Sequence, residues 1–356
     1  MAGQDGSESE TELDCRCWSV QPRMAPLCAC EKAVRPGRQA VLAAAARGMF
    51  SRVGNTTYWV GAGDEPRTLL EQFALQVFWH HLTRLGWSRE AVLRLGKAAG
   101  AEYWVQKRSP KQPLGRRSIN WHYDKDEALV EDYGIMIHPL VATATYLCRG
   151  GAPLVVLTKP TLDTGPDGAS VAPLEGCAAD AFVVFPAPGR HAAFRGKLLH
   201  GCPAELEGRS GERLSVLVNV WLHHKPFDLC RWRLRARLRS QSLCKLRGGG
   251  LARLFSPGAE VPPSRVRLAA GGAGADGEFA VQSIPFGPWQ LSGLRVPRAP
   301  REGVWVVRQS PGQLSVSLRA ERRQAQRRKA SPAVKRRPAA APDAGPRKRP
   351  RSAGEG

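Results

Sequence analysis

The sequence has no apolar run near the roughly 18 to 20 residues needed to cross a bilayer, so no membrane partner is expected. Its first ten residues, Met1-Ala2-Gly3-Gln4-Asp5-Gly6-Ser7-Glu8-Ser9-Glu10, lack the basic start and apolar stretch of a secretory leader. The nine cysteines are an odd number in no regular framework. That pattern argues against a disulfide scaffold and for reduced thiols. A soluble intracellular chain is the expectation. Acidic residues are also scarce, 31 Asp and Glu against 53 Lys and Arg, for a net charge of +22. The imbalance is local: residues 231–356 hold 27 Lys and Arg against 7 Asp and Glu, which leaves the first 230 nearly neutral. Polyanion binding therefore belongs, if anywhere, to the C-terminal third.

What is present is enough for a core. Of 356 residues 42% are hydrophobic, which supports one domain of about 200 residues with appendages, or two smaller ones. Residues 1–35 read as a disordered N-terminal arm. Cys15, Cys17, Cys28 and Cys30 within it form two C-x-C pairs. Four thiolates can hold zinc, but structural sites favour C-x2-C, so incidental or redox-labile cysteines are the preferred reading.

Residues 36–100 read as a helical support region. Thr68 and Glu71 have capping-box spacing. Leu69, Leu70, Phe73, Ala74, Val77, Phe78 and Leu82 then give one apolar helical face, closed by Gly86. Ser88 can cap a shorter helix through Leu95. The adjacent His80 and His81 are read as surface and core-edge residues of the long helix.

From 101 to 230 the pattern changes to short strands: Glu102 to Gln106, Ser118 to Tyr123, Val141 to Leu147, Leu154 to Thr158, Ala181 to Phe185 and Leu214 to Leu222. Gly- and Pro-containing turns separate them. The fold class expected is mainly β, a double-sheet jelly roll braced by the N-terminal helices. Residues 231–318 read as a basic, partly β extension, with Arg231 to Arg239 in strict Arg/apolar alternation and a late hairpin around Ser310-Pro311-Gly312. Residues 319–356 are Arg-, Lys-, Ala- and Pro-rich and are expected to be disordered. The clusters Arg327-Arg328-Lys329, Lys335-Arg336-Arg337 and Arg347-Lys348-Arg349-Pro350-Arg351 have the composition of a nuclear localisation signal. A nuclear location is expected, with a cytoplasmic one as the alternative.

The chemistry is carried by three spaced elements. His122 and Asp124 are two residues apart, so at the end of a strand they face one way and can share an ion. His200 lies 78 residues after His122, enough chain for the intervening strands to return. His138 leaves too little chain for that return, His191 has no arginine at a suitable distance behind it, and His223 and His224 follow Arg213. Two imidazoles and one carboxylate are the ligand set of a non-haem iron(II) site with open positions. Arg213 and Ser215, again two apart, suit the remote carboxylate of a dicarboxylate, held bidentately by a guanidinium.

His122-x-Asp124, His200 and Arg213-x-Ser215, in that order, resemble the motif set of the 2-oxoglutarate/Fe(II) dioxygenases. They look most like the prolyl 4-hydroxylase-like branch, over roughly residues 65–225. Tyr146-Leu147-Cys148-Arg149-Gly150-Gly151 is similar to the Tyr-Leu-Asn strand and Gly-Gly turn of that branch, with Cys148 in the Asn position. The resemblance implies Tyr146 as a further cosubstrate contact. It also implies Fe(II) as cofactor, 2-oxoglutarate and dioxygen as cosubstrates, ascorbate in support, and succinate and CO2 as products.

The expected activity is hydroxylation of a protein side chain, proline first. The alternative is a nucleic-acid-associated protein that uses the jelly roll as scaffold and the Arg-rich third for binding. A metal-dependent cupin that does without 2-oxoglutarate is a third reading. Substrate choice is expected at mouth loops, residues 107–117 and 125–140. The first of these is cationic through Lys107, Arg108, Lys111, Arg116 and Arg117, and Lys125 and Asp126 are read as supports of the ligand residues, as mouth residues or equally as exposed turn charges.

Overall fold

The computed structural model describes residues 24–158, 179–232, 253–267, 279–286, 289–297, 302–309 and 315–318. In chain order the elements are β1 (Leu27–Cys30), α1 (Gln39–Val53), β2 (Tyr58–Gly61), α2 (Leu69–Arg84), α3 (Arg89–Arg94), β3 (Gly100–Arg108), α4 (Leu114–Arg117), β4 (Ile119–His122), α5 (Glu127–Tyr133), β5 (Val141–Tyr146), β6 (Leu154–Leu157), β7 (Ala179–Val184), β8 (His191–Arg195), β9 (His200–Cys202), β10 (Arg213–Trp221), β11 (Ser264–Arg267), β12 (Phe279–Phe286), β13 (Trp289–Pro297), β14 (Val304–Gln309) and β15 (Ser315–Leu318). Among the described residues no helix is long and apolar enough to cross a membrane.

Two six-stranded sheets run β1-β8-β5-β10-β3-β2 and β11-β14-β7-β6-β9-β4. Four consecutive strands of each, β8-β5-β10-β3 and β7-β6-β9-β4, exchange the chain between sheets in the order of a double-stranded β-helix. The expected jelly roll is present, and β12-β13-β15 add a third sheet.

Period-2 alternation decides what each face does. On β10, Leu214, Val216, Val218 and Val220 face outward and join one cluster with Leu42 and Met49 of α1 and Phe73, Val77 and Phe78 of α2. The residues between them, Arg213, Ser215, Asn219 and Trp221, are also buried and take the opposite face, between the two sheets. Small Ala142, Ala144 and Ala192 belong to the interior cluster there. Polar side chains are thus set among small neighbours, as a ligand-holding interior requires.

The helix signals read from sequence are found. Thr68 Oγ1 accepts from Glu71 N at 3.1 Å and Ser88 Oγ accepts from Ala91 N at 3.2 Å. The Glu71 carboxylate does not return to the cap residue, but accepts from Arg67 N, from the Arg67 side chain and from Arg231. Burial pushes this carboxyl up, and the hydrogen bonds from Arg231 and Arg67 outweigh burial and hold it below its ordinary value.

Other expectations need correction. The N-terminal arm does not reach residue 35: Leu27–Cys30 is a strand paired with Phe194–His191 of β8. Cys28 and Cys30 lie in that strand, and Cys15 and Cys17 lie outside the described residues. Among the described residues, the one cluster of three or more ligand-type side chains with metal-holding spacing does not include Cys28 or Cys30.

Nor are β11, β14 and Val261 part of an appendage. β14 pairs antiparallel with β7, β11 pairs parallel with β14, and Val261 N donates to Ala29 O at 2.8 Å. The late hairpin is absent too, since β14 pairs with β7 and β11 whereas β15 pairs with β13. Alternation identifies a strand but not its partner. Of the alternating Arg231–Arg239 stretch only Arg231 and Trp232 are described. Arg231 is bound to Glu71, and Trp232 is buried. Residues 319–356 fall outside the described residues.

Candidate metal centre and cosubstrate pocket

β4 ends at His122 and β9 begins at His200, and the two residues are register partners across the sheet. Their rings lie 4.3 Å apart between centroids, tilted by 52°. Asp124 follows two residues later, with carboxylate oxygens 3.7 Å from His122 Nε2 and 3.6 Å from His200 Nε2. One ligand atom from each of His122, Asp124 and His200 lies within 4.8 Å of the other two.

The backbone fixes which nitrogen each histidine offers. His122 Nδ1 donates to Asn120 O at 2.7 Å and His200 Nδ1 to Leu198 O at 2.9 Å. Each Nε2 is then left as the lone-pair donor, the usual way a carbonyl orients a metal-binding imidazole. Burial holds the His200 imidazole down at about 4, against the opposing pull of Asp124. It is therefore neutral, as a ligand must be. His138 Nδ1 contacts Asp124 O at 2.7 Å and steadies the ligand's backbone.

Of the roles open to Asp126, a mouth residue or an exposed turn charge is ruled out, because its side chain is buried. It caps α5 through Leu129 N (3.1 Å) and accepts from His224 Nε2 (2.7 Å) and Phe227 N (2.9 Å). It ties the segment after Asp124 to the segment after β10. Lys125 pairs with Glu127 at 3.4 Å.

The second half of the site lies at the other end of β10. Arg213 is 1% exposed. Its Nε donates to Ala152 O and its Nη2 to Cys202 Sγ, both at 3.2 Å, and its guanidinium lies 5.4 Å from the Tyr146 ring centroid. Its Nη1 is buried without a partner, as is Ser215 Oγ. Cys202 is two residues past His200 on β9, about 6.6 Å along a strand. A five-carbon diacid can span that separation from the ligand cluster to Arg213.

Tyr146 is the register partner of Ser215. Its hydroxyl donates to Val184 O at 3.3 Å, and burial pushes its phenol up to about 12. Cys148 Sγ donates to Glu212 O at 2.6 Å and accepts from Leu214 N at 2.9 Å, so it clamps the strand start that bears Arg213. Gly151, at φ +92°, lies against that arginine, and a Cβ there would fall 2.4 Å from Arg213 Cβ.

Glu102 on β3, opposite Asn219, accepts from Trp221 Nε1 at 2.9 Å and Asn219 Nδ2 at 3.2 Å. Burial, then the charge of Asp124, pushes its carboxyl up to about 7. Sequence reasoning missed Glu102 and His138, because only strand pairing and loop return bring them to the ligands.

The two ends of β10 also sort the loops. Arg108 at the end of β3 stands opposite Arg213, whereas Asp126 and Phe227 meet beyond Trp221. The eight-residue separation is about 26 Å. Residues 107–117 therefore cap the arginine end and do not share the opening expected for them. Residues 125–140 and 222–227 rim the ligand end. The side chains of Tyr133, Ile135, Met136 and Phe227 are exposed there, and the Tyr133 and Phe227 rings lie 6.5 Å apart.

No family model matches the sequence, and no curated protein matches it either. Among solved structures the chain is similar to a prolyl-4-hydroxylase of Pseudomonas putida at 15% identity, covering 58% of this chain and 95% of that one, with a TM-score of 0.33. It is similar to a viral collagen prolyl hydroxylase from Paramecium Bursaria Chlorella virus-1, crystallised with 2-oxoglutarate, at 13% identity, 55% and 96% coverage and a TM-score of 0.33. The epimerase SnoN in complex with Fe3+, α-ketoglutarate and nogalamycin RO is similar at 16% identity, 68% and 95% coverage and a TM-score of 0.34. At these identities and scores the likenesses assign no chemistry to this chain, whose jelly-roll topology stands on its own strand order.

Proposed function

We propose that the chain is an Fe(II)- and 2-oxoglutarate-dependent oxygenase that hydroxylates a protein side chain, with proline the residue expected first. The observation that carries this reading is the pairing of two features in one barrel. His122, Asp124 and His200 gather their ligand atoms within 4.8 Å, and Arg213 buries a guanidinium nitrogen that has no partner. A buried unpaired cation is costly unless an anion meets it. The three donors suit iron(II), which together with 2-oxoglutarate and dioxygen supplies oxidising power as succinate and CO2 form.

This chain's residues do the rest. Asn120 and Leu198 carbonyls hold the two imidazoles in the ligating tautomer. Arg213 and Ser215 hold the remote carboxylate, and Gly151 leaves room for the arginine. Glu102, Asn219 and Trp221 form a hydrogen-bonded wall at the ligand end. The exposed Tyr133, Ile135, Met136 and Phe227 favour a polypeptide over a small molecule, because an apolar rim beside a mouth gives an extended chain somewhere to lie. For location we propose the nucleus, on the basic clusters between Arg327 and Arg351.

Anaerobic titration of the purified protein with Fe(II) and 2-oxoglutarate tests the reading. A weak visible charge-transfer band that needs both components and vanishes in His200→Ala is expected. Its absence from folded protein loaded with both would sink the proposal. The cupin alternative is separated by Arg213→Ala, which should leave such an enzyme active but strip an oxygenase of cosubstrate affinity.

A further inference from the structure

Arg213 has a second guanidinium beside it. β3 and β10 pair so that Arg108 stands opposite Arg213 and Gln106 opposite Ser215, and directly paired residues leave the same face of a sheet. Both pairs carry buried atoms without partners: Arg213 Nη1, Arg108 Nε, Gln106 Oε1 and Ser215 Oγ. Arg108 is half-buried and spends Nη1 on Lys107 O at 3.0 Å. Among the described residues neither arginine has a carboxylate partner.

Two desolvated cations side by side repel unless an anion is shared between them. Burial, then the charge of Arg213, pushes the Arg108 guanidinium below its ordinary value. Cys202, hydrogen-bonded to Arg213, feels both charges. The strand register thus sets the two arginines side by side on one face of the sheet.

We propose that Arg108 is a second ligand for the remote carboxylate of the cosubstrate, so that this chain grips a dicarboxylic 2-oxo acid between two guanidinium groups. Arg108 is then a specificity-determining residue, selecting diacids over monoacids. The inference rests on the oxygenase reading, and it explains why a basic residue of the 107–117 segment lies at the arginine end of the barrel rather than at the mouth.

Calorimetric titration separates the two ideas. Anaerobic Fe(II)-loaded wild type, Arg108→Met and Arg108→Lys are titrated with 2-oxoglutarate and with 2-oxopentanoate, which carries a methyl where 2-oxoglutarate has its remote carboxylate. Metal-free protein is titrated in parallel with glutarate, which keeps that carboxylate and lacks the 2-oxo group. A charge-assisted hydrogen bond is worth about 10- to 100-fold in affinity. Arg108→Met should weaken 2-oxoglutarate by about that factor and leave 2-oxopentanoate within about twofold. Arg108→Lys should recover part of the loss, and glutarate should follow 2-oxoglutarate. Equal weakening of both 2-oxo acids, or no weakening of either, overturns the assignment. If wild type binds glutarate but gains nothing from the 2-oxo group when metal is present, the oxygenase reading fails while the glutarate arm still judges Arg108. If wild type binds no diacid at all, both fall.

Discussion

At the residue scale the site depends on backbone carbonyls that orient its histidines and on glycine where its arginine packs. Gly151 is one such position, since its positive φ and its contact with the stem of Arg213 both exclude a side chain. Gly151→Ala should displace the guanidinium and weaken 2-oxoglutarate by at least about tenfold, with Fe(II) affinity unchanged. Equal affinity for 2-oxoglutarate in variant and parent would disprove the packing argument. A second residue-scale feature lies outside the pocket. His81 was expected at the core edge, yet it is buried, with its Nε2 2.9 Å from His191 Nε2, while His191 Nδ1 meets Thr145 Oγ1 at 2.7 Å. Burial pushes His191 down to about 3, whereas an unfolded histidine titrates near 6.5. The unfolded state therefore binds more protons between those values. Stability should be full above about pH 6.5 and decline as pH falls toward about 3. His191→Gln should flatten the dependence of melting temperature on pH between 7 and 4, and an unaltered slope would show that other groups set it.

At the element scale α2 is the brace of the β1-β8-β5-β10-β3-β2 sheet. Its start is set by a local hydrogen bond and its position by Phe73, Val77 and Phe78, all fully buried. Thr68→Ala should cost about 1 kcal/mol of stability, and Phe73→Ala about 3–5 kcal/mol. Chemical denaturation of the two variants should keep that order, and a larger loss from the cap would show that packing does not dominate. Strands such as β5, β6 and β10 were legible because apolar runs between Gly and Pro turns leave few other options. β8 and β9 were not, although β9 carries His200. His191–Arg195 carries alanines where β6 has β-branched and leucine residues, and His200–Cys202 is only three residues long, so neither offers the apolar run that marks β6.

At the scale of the whole molecule, the composition boundary at residue 230 is not a structural one. Leu254, Phe255, Val304 and Val307 are buried, and β14 covers the edge of β7. A chain cut after residue 230 should lose its cooperative melt, whereas one cut after Leu318 should keep both the melt and the Fe(II)/2-oxoglutarate band. The longer truncation should also lose most of any affinity for nucleic acid, and in the full chain that affinity should fall steeply with salt. A salt-independent affinity, or one that survives the cut, would place polyanion binding elsewhere. The sequence by itself picked out His122, Asp124, His200 and Arg213 as the candidate site, and the β-rich class. Those follow from residue types at fixed spacing, and strand geometry alone turns i and i+2 to one face. Only the tertiary structure decided that Arg108 faces Arg213, that Asp126 is a buried tie, and that residues 107–117 lie at the end away from the mouth. Each depends on which strand pairs with which and in what register, and a chain's local pattern carries no record of its distant partner.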